Sequence, residues 1–308
     1  MERPAGKPRQ FQSDHAGLGS RSDMTQPEPP DAAGPQEPPG QGKPAGQGST
    51  GPEAVHYWPG PGHHHGWEWQ VWLRRAEQAA AGRVPGFTVP AWLRPTRGER
   101  RWPITLSVLA AIVFQILLPP HVTDWLPRAL LPALEGALLI GLTVADPVRV
   151  ERGGTLMRAA TIILIFLVTF ANAASAVLLI RAILEGKAGN SAAPLFATGA
   201  SIWATNVIAF GLWYWEFDRG GPIPRAQGTI RQPDLMFPQM SSPELAPSDW
   251  EPQFVDYLYM SFTNATAFSP TDVMPLARWA KLTMLVQSAV SLAIAALVIA
   301  RAVNILRS

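Results

Sequence analysis

The chain has no cysteine, which excludes disulfides, thiolate metal sites and cysteine nucleophiles. It also lacks an excess of either charge. Twenty-five Lys plus Arg stand against 23 Asp plus Glu, a formal net charge of +2 over 308 residues, so no broad basic surface for nucleic acid is expected. The signatures of common enzyme classes are missing as well: there is no HExxH, no GxSxG and no phosphate-binding P-loop. The chain therefore reads as no enzyme, with no cofactor and no metal to bind. No helix-length stretch carries Arg at every third position, which argues against a voltage sensor.

What the first part lacks is apolar surface. Residues 1–66 are mostly Pro, Gly, Gln, Ser and scattered charges, and 30 of the first 100 residues are Pro or Gly. Such a segment cannot bury enough area to offset a backbone entropy of roughly 1–2 kcal/mol per residue, so a disordered tail is expected. It holds no apolar core of the secretory type, and export through a signal peptide is not expected. The run His63-His64-His65 sits on this tail without other placed ligands and reads as solvated.

Residues 67–101 form a second segment. Trp69, Trp72, Leu73, Ala76 and Ala80 recur at helical spacing, while Glu68, Arg74, Arg75, Glu77 and Gln78 point elsewhere. The spacing predicts an amphipathic helix, lying in a headgroup region or against the protein's own membrane part. Trp92 and Trp102, with Arg94, Arg97, Arg100 and Arg101, read as an interface anchor.

Beyond it come long runs poor in charge. Trp102–Thr123, Ala159–Ile180, Ala188–Trp215 and Leu282–Ala300 contain no Asp, Glu, Lys or Arg, and Ala129–Ala145 contains only Glu135. About 20 apolar residues cross a hydrocarbon layer of about 30 Å, so these are five candidate spans, three of them within residues 102–187. Residues 188–308 then form a unit of their own. It has a span, a polar, Pro-rich extramembrane loop at 218–252, an apolar aromatic segment at 254–272, and the last span. From Tyr257 to Thr271 the segment has 15 residues, too few to cross. It either enters partway and turns back or lies flat in the interface. The expected fold class is an all-α membrane protein of about five transmembrane helices with a re-entrant pore-helix loop before the last one, multi-pass in the cell membrane.

Residues 257–275 read Tyr-Leu-Tyr-Met-Ser-Phe-Thr-Asn-Ala-Thr-Ala-Phe-Ser-Pro-Thr-Asp-Val-Met-Pro. This resembles the pore helix and filter of potassium channels, whose filter reads Thr-Val-Gly-Tyr-Gly-Asp with a proline three residues on. Thr266, Asp272 and Pro275 match its opening Thr, closing Asp and following Pro. The flanks resemble a bacterial membrane-protein family of unknown function with the same layout, through Phe237-Pro238, Pro252, Asp256, Tyr257, Leu258, Tyr259 and Val303-Asn304. The resemblance covers residues 188–306 and implies a homo-oligomer, a tetramer, through which monovalent cations pass.

The chain departs from the filter. Ala267, Phe268, Ser269, Pro270 and Thr271 are five residues where the filter has four, and none is glycine. Pro270 fixes its own φ and removes a donor, so a ladder of carbonyls facing an axis is not expected and potassium selectivity is not carried over. The groups expected to meet an ion are the hydroxyls of Thr263, Thr266, Ser269 and Thr271 and the carboxylate of Asp272. In a tetramer Asp272 makes a ring of four carboxylates; its place before Pro275 equally suits an N-cap of the last helix.

Two further polar groups fall in spans. Glu135 needs a partner such as Asn172, Asn206 or Gln287, and either structural pairing or a proton or cation role accounts for it. Gln287, with Ser288 and Ser291, suits interhelical hydrogen bonds or a pore lining. Ala289, Ala293, Ala296 and Ala300 form a small-residue stripe expected to pack against a neighbouring helix. With the N-terminus inside, twelve Lys and Arg flank the spans on the inner side and five on the outer. That favours N-inside and makes the loop enter from the cytoplasm, unless an early segment does not cross. Two functions compete: a channel-like protein, and a non-conducting membrane scaffold or sensor.

Overall fold

The computed structural model describes residue 78 and residues 89–123, 126–150, 154–242, 245–266 and 272–307. The expected tail 1–66 and its histidines lie outside them. Gln78 is helical and exposed; the other residues of the expected amphipathic helix lie outside the described residues.

The described chain is mostly helical. In order come α1 (Trp102–Leu117), α2 (Leu130–Ala145), α3 (Thr155–Leu184), α4 (Ala192–Phe217), α5 (Pro222–Ala226), α6 (Pro238–Ser241), α7 (Phe254–Thr266) and α8 (Arg278–Arg307). Among the described residues three helices are long and apolar enough to cross a membrane: α3, α4 running on to Gly220, and α8. The first two predicted spans are apolar helices of only 16 residues each, about 24 Å at 1.5 Å per residue. α1 stops early because Leu118 precedes Pro119-Pro120. The ring of the next residue disfavours the helical well, and Leu118 is extended at ψ 141°.

α1 to α4 and α8 run between two ends of one bundle. At one end the amide of Arg101 donates to the carbonyl of Val148, and Arg158 meets Glu216. At the other, Arg128 donates to the carbonyls of Ile116 and Leu118, and Arg301 to that of Gly189. α4 is the central helix. Its mid-section is buried nearly all round, whereas large apolar side chains on α1, α3 and α8 face outward.

The 218–252 stretch, expected as a polar loop outside the membrane, is folded onto the first end of the bundle. Leu235, Phe237 and Met240 join the core made by Trp215, Phe254 and Tyr257. A two-residue strand, β1 (Leu235–Met236), pairs antiparallel with β2 (Met274–Pro275), Leu235 opposite Pro275 and Met236 opposite Met274.

Two glycines let helices approach closely. A Cβ at Gly199 would lie 2.8 Å from the Val298 side chain of α8, and one at Gly211 3.3 Å from the Cα of Leu258 in α7. The Leu258 backbone cannot rotate away, so Gly211→Val forces α4 and α7 apart. Overpacking of this kind costs about 1–3 kcal/mol, and thermal unfolding in detergent should show a lowered midpoint. Gly141→Ala, where nothing lies within 4 Å, should leave the midpoint unchanged or higher.

Candidate functional site

The site is the α7 hairpin: how it starts, how deep it ends, and where the chain goes next. Its start is held at the first end of the bundle. The amide of Phe254 donates to the Glu99 carboxylate, whose other oxygen accepts from the Trp215 indole at 2.7 Å. Three residues on, the Tyr257 hydroxyl donates to Asp218 Oδ2 at 2.6 Å.

Asp218 has no exposed side chain. Its Oδ1 accepts the amides of Asp234 at 3.0 Å and Leu235 at 3.2 Å, and so fixes β1. The next residue, Arg219, has φ +50°, a left-handed conformation rare for a side chain of this size. It is held there on both sides. Its amide donates to Asp234 Oδ2 at 2.9 Å and its guanidinium to the Trp92 carbonyl at 2.7 Å. Arg225 donates to the carbonyl of Trp215 in the last turn of α4 and to that of Asp218 just beyond it, the usual way a cation closes a helix C-terminus. Its guanidinium also lies 5.0 Å from the centre of the Tyr257 ring.

After 13 residues, about 20 Å of rise, α7 ends against α4 and α8. Gln287 donates to the carbonyl of Ser261 at 2.9 Å and to its hydroxyl at 2.7 Å, and that hydroxyl donates to Val207 of α4 at 2.6 Å. The Gln287 oxygen accepts from Tyr214 and from Asn264, each at 2.8 Å. Ser288 donates to the Asn264 carbonyl at 3.0 Å. The last carbonyls of a helix have no partner of their own, and here α8 supplies some. Gln287 and Ser288 thus make interhelical bonds within the chain, and Asn206 bonds Ser291 in the same way at 3.0 Å.

The chain then returns. The amides of Leu276 and Ala277 donate to the Asp234 carbonyl, so Met274–Pro275 sits beside β1 at the end where α7 began. Eight steps from Thr266 to Met274 reach about 26–29 Å when extended, enough to undo the rise of α7.

Among the predicted ion-facing groups, Thr263 and Thr266 donate their hydroxyls back to the carbonyls of Met260 and Phe262, both at 2.9 Å. Thr266 and Asp272 are exposed. Ala267, Phe268, Ser269, Pro270 and Thr271 lie outside the described residues. Three expectations change. Asp272 is not the N-cap of the last helix, which starts at Arg278 beyond the extended pair Met274–Pro275. Glu135 is fully buried, but its partner is Gln115 of α1, whose Nε2 lies 3.0 and 3.2 Å from the two carboxylate oxygens. Asn206 is taken by Ser291 of α8, and Gln287 by Tyr214 of α4 and by Ser261 and Asn264 of α7. The alanine stripe lies largely outside the buried face of α8: Ala289, Ala296 and Ala300 are exposed and Ala293 is half-buried, whereas the buried face is Ala280, Gln287, Ser291, Ile294, Val298 and Ala302.

A cavity of about 350 Å³ opens at the same end of the bundle, bounded by α1 to α5. Its charged lining is Arg101, Asp146, Arg158 and Glu216. Glu216, only 2% exposed, pairs with Arg158 at 3.4 Å. The sequence reading passed over it because it stands just past a charge-free run; the signal was its place on the helical continuation of that run.

Burial pushes the Glu99 carboxyl up from 4.5, against the pull of Arg225 and of the Phe254 and Trp215 N–H groups. A raised acid favours the protonated form in the fold. Its stabilising contribution is therefore complete below about pH 4.5 and is lost as pH rises above that value. Thermal unfolding measured across a pH series should fall in midpoint over this range, and Glu99→Gln should flatten the fall; an identical profile in the variant would contradict the assignment.

No family model matches the chain, and no curated protein or solved structure does, so the site is read from its own residues.

Proposed function

We propose that this chain is a channel-like integral membrane protein, multi-pass in the cell membrane, that assembles as a homo-oligomer and passes monovalent cations along an axis lined by the α7 hairpin. The observation that carries the reading is that α7 starts and the chain after it returns at one end of the bundle, while its last turn bonds Gln287 and Ser288 of α8. Non-helical backbone at membrane depth survives only where protein buries it or water reaches it. A second copy and an aqueous axis supply both conditions.

In this reading all five apolar helices cross, α1 and α2 being short spans set in the bundle. The end that carries Arg94, Arg97, Arg100, Arg149 and Arg158 is cytoplasmic by the positive-inside rule, so the hairpin enters from the cytoplasm. On the outward face of α7, Val255, Tyr259 and Thr266 (at i, i+4 and i+11) are exposed, and so are Ala289, Ala296 and Ala300 of α8. Small residues let helices of neighbouring copies approach closely. A tetramer, the state the resemblance to potassium channels implies, brings four Asp272 carboxylates together. The absence of glycine between Thr266 and Asp272 favours the second reading, in which the hairpin is a plug in a non-conducting scaffold or sensor.

Flux in reconstituted liposomes separates the two. The Debye length is about 30 Å at 0.01 M salt and about 3 Å at 1 M. Asp272→Asn should therefore lower cation flux by a factor of a few at low salt and change it little at high salt. Asp272 lies six residues ahead of α8 and caps nothing, so folding should survive. Wild-type liposomes that pass no monovalent cation under any gradient would leave the plug.

A further inference from the structure

Among the described residues, none of α7 lines the 350 Å³ cavity. α4 gives it Leu212, Trp215 and Glu216, whereas Gly211 and Tyr214 of the same helix face α7 and α8. Along α3 it runs from Gly154 to Ile165, which is about 16 Å of helix. Its deep walls are apolar: Val108, Leu139, Leu164 and Leu212. Its mouth is charged and close to neutral, with two guanidinium groups, Arg101 and Arg158, and two carboxylates, Asp146 and Glu216. Arg158 meets Glu216 through Nε and keeps half its side chain exposed. A guanidinium has five N–H donors, so this contact leaves most of its capacity for another acceptor.

We propose that this cavity binds one phospholipid molecule whose zwitterionic headgroup carries a phosphate and a primary ammonium. The phosphate meets Arg158, the ammonium meets Glu216, and the upper part of one acyl chain enters the apolar shaft. An anionic headgroup would bring no cation to Glu216. A quaternary ammonium would offer it no N–H donor. The volume sits at the low end of the range of about 300–1,000 Å³ for small-ligand sites, which suits a headgroup and part of one chain with the remainder left in the bilayer. This inference rests on the membrane placement proposed above and is independent of conduction.

Native mass spectrometry of the purified full chain in detergent tests it, with short-chain phosphatidylethanolamine, phosphatidylcholine and phosphatidylglycerol added in turn. The expected result is one retained phosphatidylethanolamine per chain, favoured roughly tenfold over the other two, the ratio for one charge-assisted hydrogen bond. Glu216→Gln keeps the shape and should bring phosphatidylethanolamine down to the phosphatidylcholine level. Leu139→Trp fills the shaft and should abolish retention of all three, with helicity checked by circular dichroism. If Leu139→Trp does not fold, the headgroup ranking of Glu216→Gln decides alone. Equal retention of the three lipids by the wild-type chain, or a ranking unmoved by Glu216→Gln, overturns the proposal. A chain that stays in the aqueous fraction without detergent would instead overturn the membrane placement.

Discussion

The carboxylate of Asp218 holds together three segments that are distant in sequence: the end of α4, the strand β1 and the first turn of α7. A buried carboxylate is costly unless its oxygens are bonded. This one is met by two backbone amides and a tyrosine hydroxyl, with Arg219 Nε at 3.6 Å. Because Asp234 and Leu235 are fixed by it, β2 has a partner, and because β2 has a partner, the chain after α7 comes back to where α7 began. The left-handed Arg219 belongs to the same device. Backbone strain of about 1–3 kcal/mol persists only where the surroundings fix it, and here an amide bond to Asp234 and a guanidinium bond to Trp92 do so.

The hairpin has a second anchor at its other end. Gln287 receives two hydrogen bonds on its oxygen and gives two from its nitrogen, so its amide is fully used. Such a fully bonded buried amide defines a depth as well as a contact: sliding α7 along α8 by one turn would break the three bonds to Ser261 and Asn264 at once. The two anchors together make α7 a fixed half-length element. The central helix α4 serves both, with Asp218 at its end and Tyr214 one turn inside it.

Much of this was legible in the sequence. The charge-free runs placed α1 to α4 and α8 within a few residues at most ends, because absence of charge is a local property. The 15 residues from Tyr257 were too few to cross, and α7 is indeed short. The polar, Pro-rich composition of the loop 218–252 did not show that it folds onto the bundle end, since nothing local distinguishes Asp218 and Arg219 from solvated charges. Their partners are Asp234, Tyr257 and Trp92, up to 127 residues away in sequence. Glu135 was recognised as needing a partner, but spacing cannot choose between Gln115 and three other polar residues. The alanine stripe showed a face made for close approach without showing to what.

The central claim is that α7 leaves and the chain returns on one side of the membrane. The chain has no cysteine, so single cysteines can be read without background. Gln253→Cys and Asp272→Cys, just before and after α7, with Arg307→Cys at the far end of α8, would be exposed in sealed oriented vesicles to a membrane-impermeant maleimide. The account predicts that positions 253 and 272 label from the same side and position 307 from the opposite one. Labelling of 253 and 272 from opposite sides would make α7 part of a crossing and contradict it.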